Sequence, residues 1–175
     1  MKQDKIISKL LEEFGLPPDY PEKRGLIPYK EAKDMIEIGV NPYGSPVFLS
    51  PEAGKAWNKM LVSATEDNVV IYPLSGYRSV AVQSDIIRNK LNQGLAIHDI
   101  MKANAPPGYS QHHTGNAIDI CTDTVKTADL AFERSNAFKW LIIYAPLYGF
   151  ILPYPRDNTY GFIYEPWHWY FNLKL

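Results

Sequence analysis

Apolar positions near the N-terminus recur at helical spacing: Ile6, Ile7, Leu10, Leu11 and Phe14, with Gly15 and Pro17-Pro18 directly behind them. That pattern predicts a short amphipathic helix with a defined stop. Residues 15–50 are rich in Pro, Gly and Tyr and read as irregular, apart from a weak helical or strand segment around Glu31–Val40. Ser50-Pro51-Glu52 opens a second helix. Ser50 serves as N-cap, Pro51 enters the first turn, and Ala56, Trp57, Met60 and Leu61 form the apolar face. Asn68–Tyr72 reads as a buried strand and Ser75–Ser79 as the turn after it. Ser79 caps a helix carrying Val82, Ile86, Ile87 and Leu91, which Gly94 ends. His98 falls in a further helical stretch, Ala105–Tyr109 in a loop and Ala117–Ile120 in a short strand. A helix from Asn136 to about Tyr148 follows. Three short strands are then expected, around Phe150–Leu152, Tyr160–Tyr164 and Trp167–Phe171.

Helices come first and strands cluster late. The fold class is therefore α+β, a single domain with a small, mostly antiparallel sheet and helices packed around it. A chain of 175 residues suits one compact unit. Within it, residues 1–46 read as an N-terminal helix and irregular wrap, and 47–175 as the domain that carries the chemistry.

Composition narrows the function. Hydrophobic residues make up 46% and charged residues 21%, enough for a real core. Lys+Arg number 18 against 19 Asp+Glu, a net charge of −1. This balance lacks the basic footprint of a nucleic-acid binder or a polybasic membrane anchor. No stretch approaches the roughly 20 apolar residues of a membrane helix. Lys9, Glu12 and Glu13 interrupt the apolar positions near the N-terminus, so no signal-peptide core is visible. The expectation is a soluble protein of open oligomeric state with the monomer favoured, cytoplasmic as written or released to the cell wall by lysis or another route. The one cysteine, Cys121, is read as a buried small hydrophobe rather than a thiolate ligand.

The chemistry lies in the histidines, of which there are four. His112 and His113 sit in Ser110-Gln111-His112-His113-Thr114-Gly115-Asn116-Ala117-Ile118-Asp119, and His168 closes Glu165-Pro166-Trp167-His168. Two His and one carboxylate make a catalytic zinc set with a position left for water, and a further carboxylate outside that set is needed to take a proton. The helical His-Glu-x-x-His arrangement is absent. Pro166 pushes Glu165 toward extended geometry, so a bend near Pro166 must bring Glu165 and His168 together. Singly, each of these residues has an ordinary structural explanation, and for His98 and His113 that explanation is retained.

Together they resemble a known family. Ser110-x-His112-x-x-Gly115-x-Ala117-x-Asp119 with Glu165-x-Trp167-His168 is similar to the paired signature of the zinc D-alanyl-D-alanine carboxypeptidases of VanY type, within the LAS group of peptidoglycan peptidases. Ser75-Gly76-Tyr77-Arg78-Ser79 with Gln83 resembles the family's upstream motif, and the likeness runs from about Val47 to Phe171. The resemblance implies the LAS zinc-peptidase fold and one Zn²⁺ held by His112, Asp119 and His168. It implies Glu165 as general base and Arg78 as donor to the scissile carbonyl oxygen. Gln83, Ser110 and Tyr77 would contact the substrate, a peptidoglycan stem peptide. The implied reaction is release of a C-terminal D-alanine. An L,D-carboxypeptidase, a D,D-dipeptidase or a stem-peptide endopeptidase on the same scaffold stays open, as does a metal-bound cell-wall binding module. Pro153 before Tyr154-Pro155 and Trp169-Tyr170-Phe171 after His168 depart from the family pattern.

Overall fold

The structure, a computed structural model, describes residues 2–172. The ends of the 1–46 and 47–175 segments, at Met1 and at residues 173–175, lie outside the described residues.

The first helix, α1 (Lys2–Glu13), buries Ile7 and Leu11, and Phe14 beyond its end, against Ile87, Ile100 and Met101. A short helix α2 (Tyr20–Lys23) follows. The wrap then forms half of a hairpin: β1 (Ile36–Val40) pairs antiparallel with β2 (Pro46–Leu49). Only the second half of the Glu31–Val40 segment is strand, and β2 lies where the Pro- and Gly-rich pattern predicts irregular chain. Helix α3 (Pro51–Glu66) begins as expected. Ser50 Oγ accepts the Ala53 N–H, and Trp57, Met60 and Ala64 face the core.

The strand expected at Asn68–Tyr72 is displaced: β3 spans Tyr72–Ser75. Asn68 adopts a φ of 58°, and Val69 N–H bonds back to Ala64 O, so these residues close the end of α3 instead. Helix α4 (Val80–Asn92) starts at the Ser79 cap, and α5 (Ile97–Ala103) follows. Strand β4 is Ala117–Cys121, α6 is Asn136–Tyr144, β5 is Phe150–Ile151 and β6 is His168–Phe171. A 3₁₀ turn at Ala145–Tyr148, which contains Pro146, completes the stretch whose pattern predicts one continuous helix.

Tyr160–Tyr164 is no strand. The Asn158 side chain clasps it, donating to Phe162 O and accepting from Phe162 N–H, and that local bonding replaces a ladder.

The main sheet runs β3-β4-β6-β5, with every pairing antiparallel. Its register sets the site. Ser75 pairs with Asp119, and Asp119 with His168, so one row crosses three strands. Strand side chains alternate faces: Ile118 and Ile120 enter the core with Trp57 and Trp169, while Asp119 turns the other way, into a cleft.

The wrap is stitched to the loop beside this row. Tyr29 N–H donates to Gly108 O at 2.8 Å, Ala32 N–H to His113 O at 2.7 Å, and Ser50 N–H to Gly115 O at 2.8 Å. Gly115 has φ +69°, and a Cβ there would lie 2.9 Å from Ser50 N. Gly115→Ala therefore combines left-handed strain with a backbone clash. Urea unfolding should show a loss of about 1–3 kcal/mol. An unchanged midpoint would contradict the close approach of these two segments.

Candidate active site

Two strands and one turn position Asp119, His168 and His112. Asp119 and His168 are direct cross-strand partners on β4 and β6. His112 arrives on a 3₁₀ turn, Gln111–Thr114, whose N-cap Ser110 accepts the His112 N–H and whose end is the left-handed Gly115. The 76–78 turn brackets that histidine. Gly76 O accepts from His112 Nδ1–H at 2.6 Å, and Arg78 N–H donates to His112 O at 3.2 Å. Gly76 is needed here because a Cβ would meet Phe48 O at 2.3 Å.

The ligand atoms of His112, Asp119 and His168 all lie within 4.8 Å of one another. His112 Nε2 is 3.4 Å from Asp119 Oδ1, and His168 Nδ1 is 2.9 Å from the same oxygen. The remaining ring nitrogens fix the tautomers. His112 Nδ1–H points at the Gly76 carbonyl, and His168 Nε2–H donates to Gln111 Oε1 at 2.9 Å. In the neutral rings, His112 Nε2 and His168 Nδ1 then both turn lone pairs toward a carboxylate oxygen. Three buried acceptors facing one another call for a cation between them. The set fits a tetrahedral zinc with His and carboxylate ligands, supported from behind by Gly76 and Gln111.

Electrostatics agree with that fit. Burial pushes His112 down to about 4, which keeps it neutral at physiological pH. Burial alone would raise Asp119, but His112 and His168 hold its carboxyl well below the usual range. Glu165 sits just before the turn at Pro166-Trp167, and His168 N–H donates to its carbonyl at 3.1 Å. This is the bend needed to bring Glu165 beside His168. Burial lifts its carboxyl to about 7, with Asp119 adding to the rise and His168, Arg78 and Lys90 opposing it.

Arg78 reaches Asp119 Oδ2 at 3.4 Å and Gln83 Oε1 at 3.3 Å, while its buried Nε has no partner among the described residues. Gln83 is held in turn by donation to Ala105 O at 2.8 Å. Ser110, Gln83, Arg78 and Glu165 line one cleft of about 350 Å³ together with His112, Asp119 and His168. Tyr77 is not part of that lining; its backbone N–H donates to Phe48 O.

The other candidates lie elsewhere. His113 braces the loop, donating from Nδ1 to Arg78 O and accepting the Gly108 N–H at Nε2. His98 is exposed and contacts Asp99. Cys121 is buried, pushed up to about 11, and lies against Tyr72 O. Sequence reasoning gave no role to Gln111, to Lys90 and Asn104 in the cleft wall, or to Tyr154, whose ring stacks on His168 at 4.9 Å. Only Tyr154 carried a signal, as part of the Tyr154-Pro155 pair.

Comparison with known proteins places these features in a family. The family model for VanY, described as D-alanyl-D-alanine carboxypeptidase, matches residues 47–173. A D-alanyl-D-alanine carboxypeptidase of Enterococcus faecium is 33% identical over 135 residues, 74% of this chain and 40% of its own length. The chain spans between 40% and 59% of the length of the curated relatives it matches. Among solved structures, the LdcB LD-carboxypeptidase superposes with a TM-score of 0.73 at 27% identity, over 87% of this chain and 78% of that one. A VanY D,D-pentapeptidase from a VanB-type resistance cassette, in complex with Zn(II), shares the fold with a TM-score of 0.64 at 24% identity, over 83% of this chain and 82% of that one. With the family model covering most of the chain, and the Enterococcus relative agreeing with it, the chain belongs to the VanY-type D-alanyl-D-alanine carboxypeptidase family.

Proposed function

We propose that this chain is a zinc-dependent D,D-carboxypeptidase that hydrolyses the C-terminal D-alanine from peptidoglycan stem peptides. The observation that carries the reading is the buried convergence of His112 Nε2, Asp119 Oδ1 and His168 Nδ1 beside a carboxylate, Glu165, that is outside the donor set. When bound by those three residues, zinc would supply Lewis acidity toward the scissile carbonyl and lower the pKa of water.

The chain's own groups supply the rest. Glu165, raised toward neutrality by burial, is matched to accept a proton from the attacking water and return it to the leaving amine. Arg78 retains an unpaired buried Nε–H, and its guanidinium is a fixed positive charge for the carbonyl oxygen as it becomes anionic. Gln83 holds Arg78 in that orientation, and Ser110 lines the same cleft, where it would contact a substrate residue. The Tyr154 ring covers one face of His168 and restricts its motion.

A second reading, L,D-carboxypeptidase, draws on the likeness to LdcB. The two differ in the bond cut. Mass spectrometry of stem pentapeptide ending in D-Ala-D-Ala, with and without chelator, should show loss of one alanine that the chelator abolishes. Cleavage confined to tetrapeptide would favour the L,D reading, and no cleavage of either would remove both.

Glu165→Gln should lower kcat by roughly 10²–10⁴-fold while zinc content, measured by elemental analysis, stays at one per chain. Undiminished turnover would show that another group moves the proton.

The raised carboxyl also has a stability signature in the metal-free protein. Glu165 goes from 4.5 to about 7 on folding. Its contribution is therefore full below 4.5 and lost as pH rises through 7. His112, lowered from 6.5 to about 4, acts in the opposite sense between those values. Comparing wild type with Glu165→Gln isolates the carboxyl. The wild-type stability relative to the variant should fall by roughly 3 kcal/mol between pH 4 and 8. A pH-independent difference would contradict the buried, protonatable state.

A further inference from the structure

One charged side chain in the cleft has no part in the scheme above. Lys90 on α4 is half-buried and lines the same cleft as Arg78 and Glu165. It follows Gln83 by seven residues, two helical turns, so both side chains share the cleft-facing side of α4, about 10 Å apart along the axis. Ile86 lines the wall between them.

The Lys90 ammonium is aimed rather than loose. It donates to Asn104 Oδ1 at 3.3 Å, and the Asn104 amide is itself fixed by donation to Ile100 O at 2.8 Å. The Lys and Arg ion pairs of the described residues engage Lys23, Arg78, Arg88, Lys102 and Arg156, but not Lys90. Arg78 and Lys90 are the two lysine or arginine side chains in the lining, and Arg78 is already turned to Asp119 and Gln83. Burial and the Arg78 charge both lower the Lys90 pKa, and Glu165 opposes them. The ammonium thus feels both groups at the reacting centre. Burial and a guanidinium neighbour both disfavour that charge, and an anion in the cleft would relieve both.

An enzyme that trims chain ends must recognise what an end has and an interior lacks, a free carboxylate. We propose that Lys90, oriented by Asn104, is the counter-ion for the substrate's C-terminal carboxylate and thereby makes this cleft selective for chain ends. This rests on the carboxypeptidase reading and names the group that would confer its exopeptidase character. One residue spans at most about 3.6 Å of chain. The carboxylate of a single leaving residue therefore stays close to the scissile bond, within the cleft that Lys90 also lines.

The test is binding, so that it stands apart from turnover. Stem pentapeptide ending in D-Ala-D-Ala, as the free acid and as its C-terminal amide, is titrated calorimetrically into zinc-loaded Glu165→Gln protein. The titration is repeated with Lys90→Met or Lys90→Arg added. With Lys90 present, the acid should bind roughly 10- to 100-fold more tightly than the amide. Lys90→Met should bring the ratio near one by weakening the acid alone, and Lys90→Arg should keep most of the preference. Coincident urea midpoints would establish that the variants are folded. A preference that survives Lys90→Met, or one absent from the Lys90 protein, overturns the proposal. So does a Lys90-dependent preference that follows amidation of an internal side-chain carboxylate instead of the terminus. Mass spectrometry of the wild-type reaction separates the two claims. A Lys90-dependent acid preference without cleavage would remove the carboxypeptidase reading and leave the carboxylate site standing.

Discussion

Asp119 Oδ1 faces two imidazole nitrogens whose protons are committed elsewhere, and the rest of the site is arranged around that arrangement. His112 donates a hydrogen bond from Nδ1 to Gly76 O, and His168 donates one from Nε2 to Gln111 Oε1. What remains is a buried knot of acceptors, unfavourable without a cation and strongly favourable with one. The nearby cations do not fill that place. Arg78 contacts the other carboxylate oxygen, Asp119 Oδ2, and Lys90 is turned to Asn104.

Holding three acceptors this close requires a scaffold that does not relax. The row Ser75–Asp119–His168 is fixed by strand register, and a one-residue slip would turn Asp119 into the core. Ile118, Ile120 and Trp169 on the opposite face oppose such a slip through burial. The histidine turn is not part of the sheet, so it needs separate anchors. The close approach of Gly76 to β2, the wrap hydrogen bonds from Tyr29 and Ala32, and the His113 brace supply them. The N-terminal wrap thus supports the histidine loop, and its α1 packs against α4, which carries Gln83 and Lys90.

Elements with strong local signals were legible in the sequence. Ser50 and Ser79 cap helices because hydroxyl acceptors preceding apolar-periodic runs have few alternative uses, and both accept the expected N–H. The α+β class and the antiparallel sheet followed from the order of elements. Short strands were legible only in part: β4, β5 and β6 lie where they are expected, and two others do not. Val69 and Val70 have strand propensity, but the end of α3 takes their backbone and the ladder starts only at Tyr72. Tyr160–Tyr164 is aromatic enough for a strand, yet Asn158 bonds it locally. In the site, motif spacing brought His112, Asp119, His168, Glu165 and Arg78 to one cleft. Gln111 and Lys90 stayed invisible because their meaning comes from what they face across the fold, which one sequence does not record.

The central claim is that those convergent acceptors bind one zinc ion with nitrogen and oxygen donors only. X-ray absorption at the zinc edge of the loaded protein tests it directly. The account predicts a single shell of N/O scatterers at about 2.0–2.1 Å with outer-shell imidazole signals from two histidines. A sulfur scatterer at about 2.3 Å, which would recruit Cys121, or a six-oxygen environment without imidazole, would contradict it.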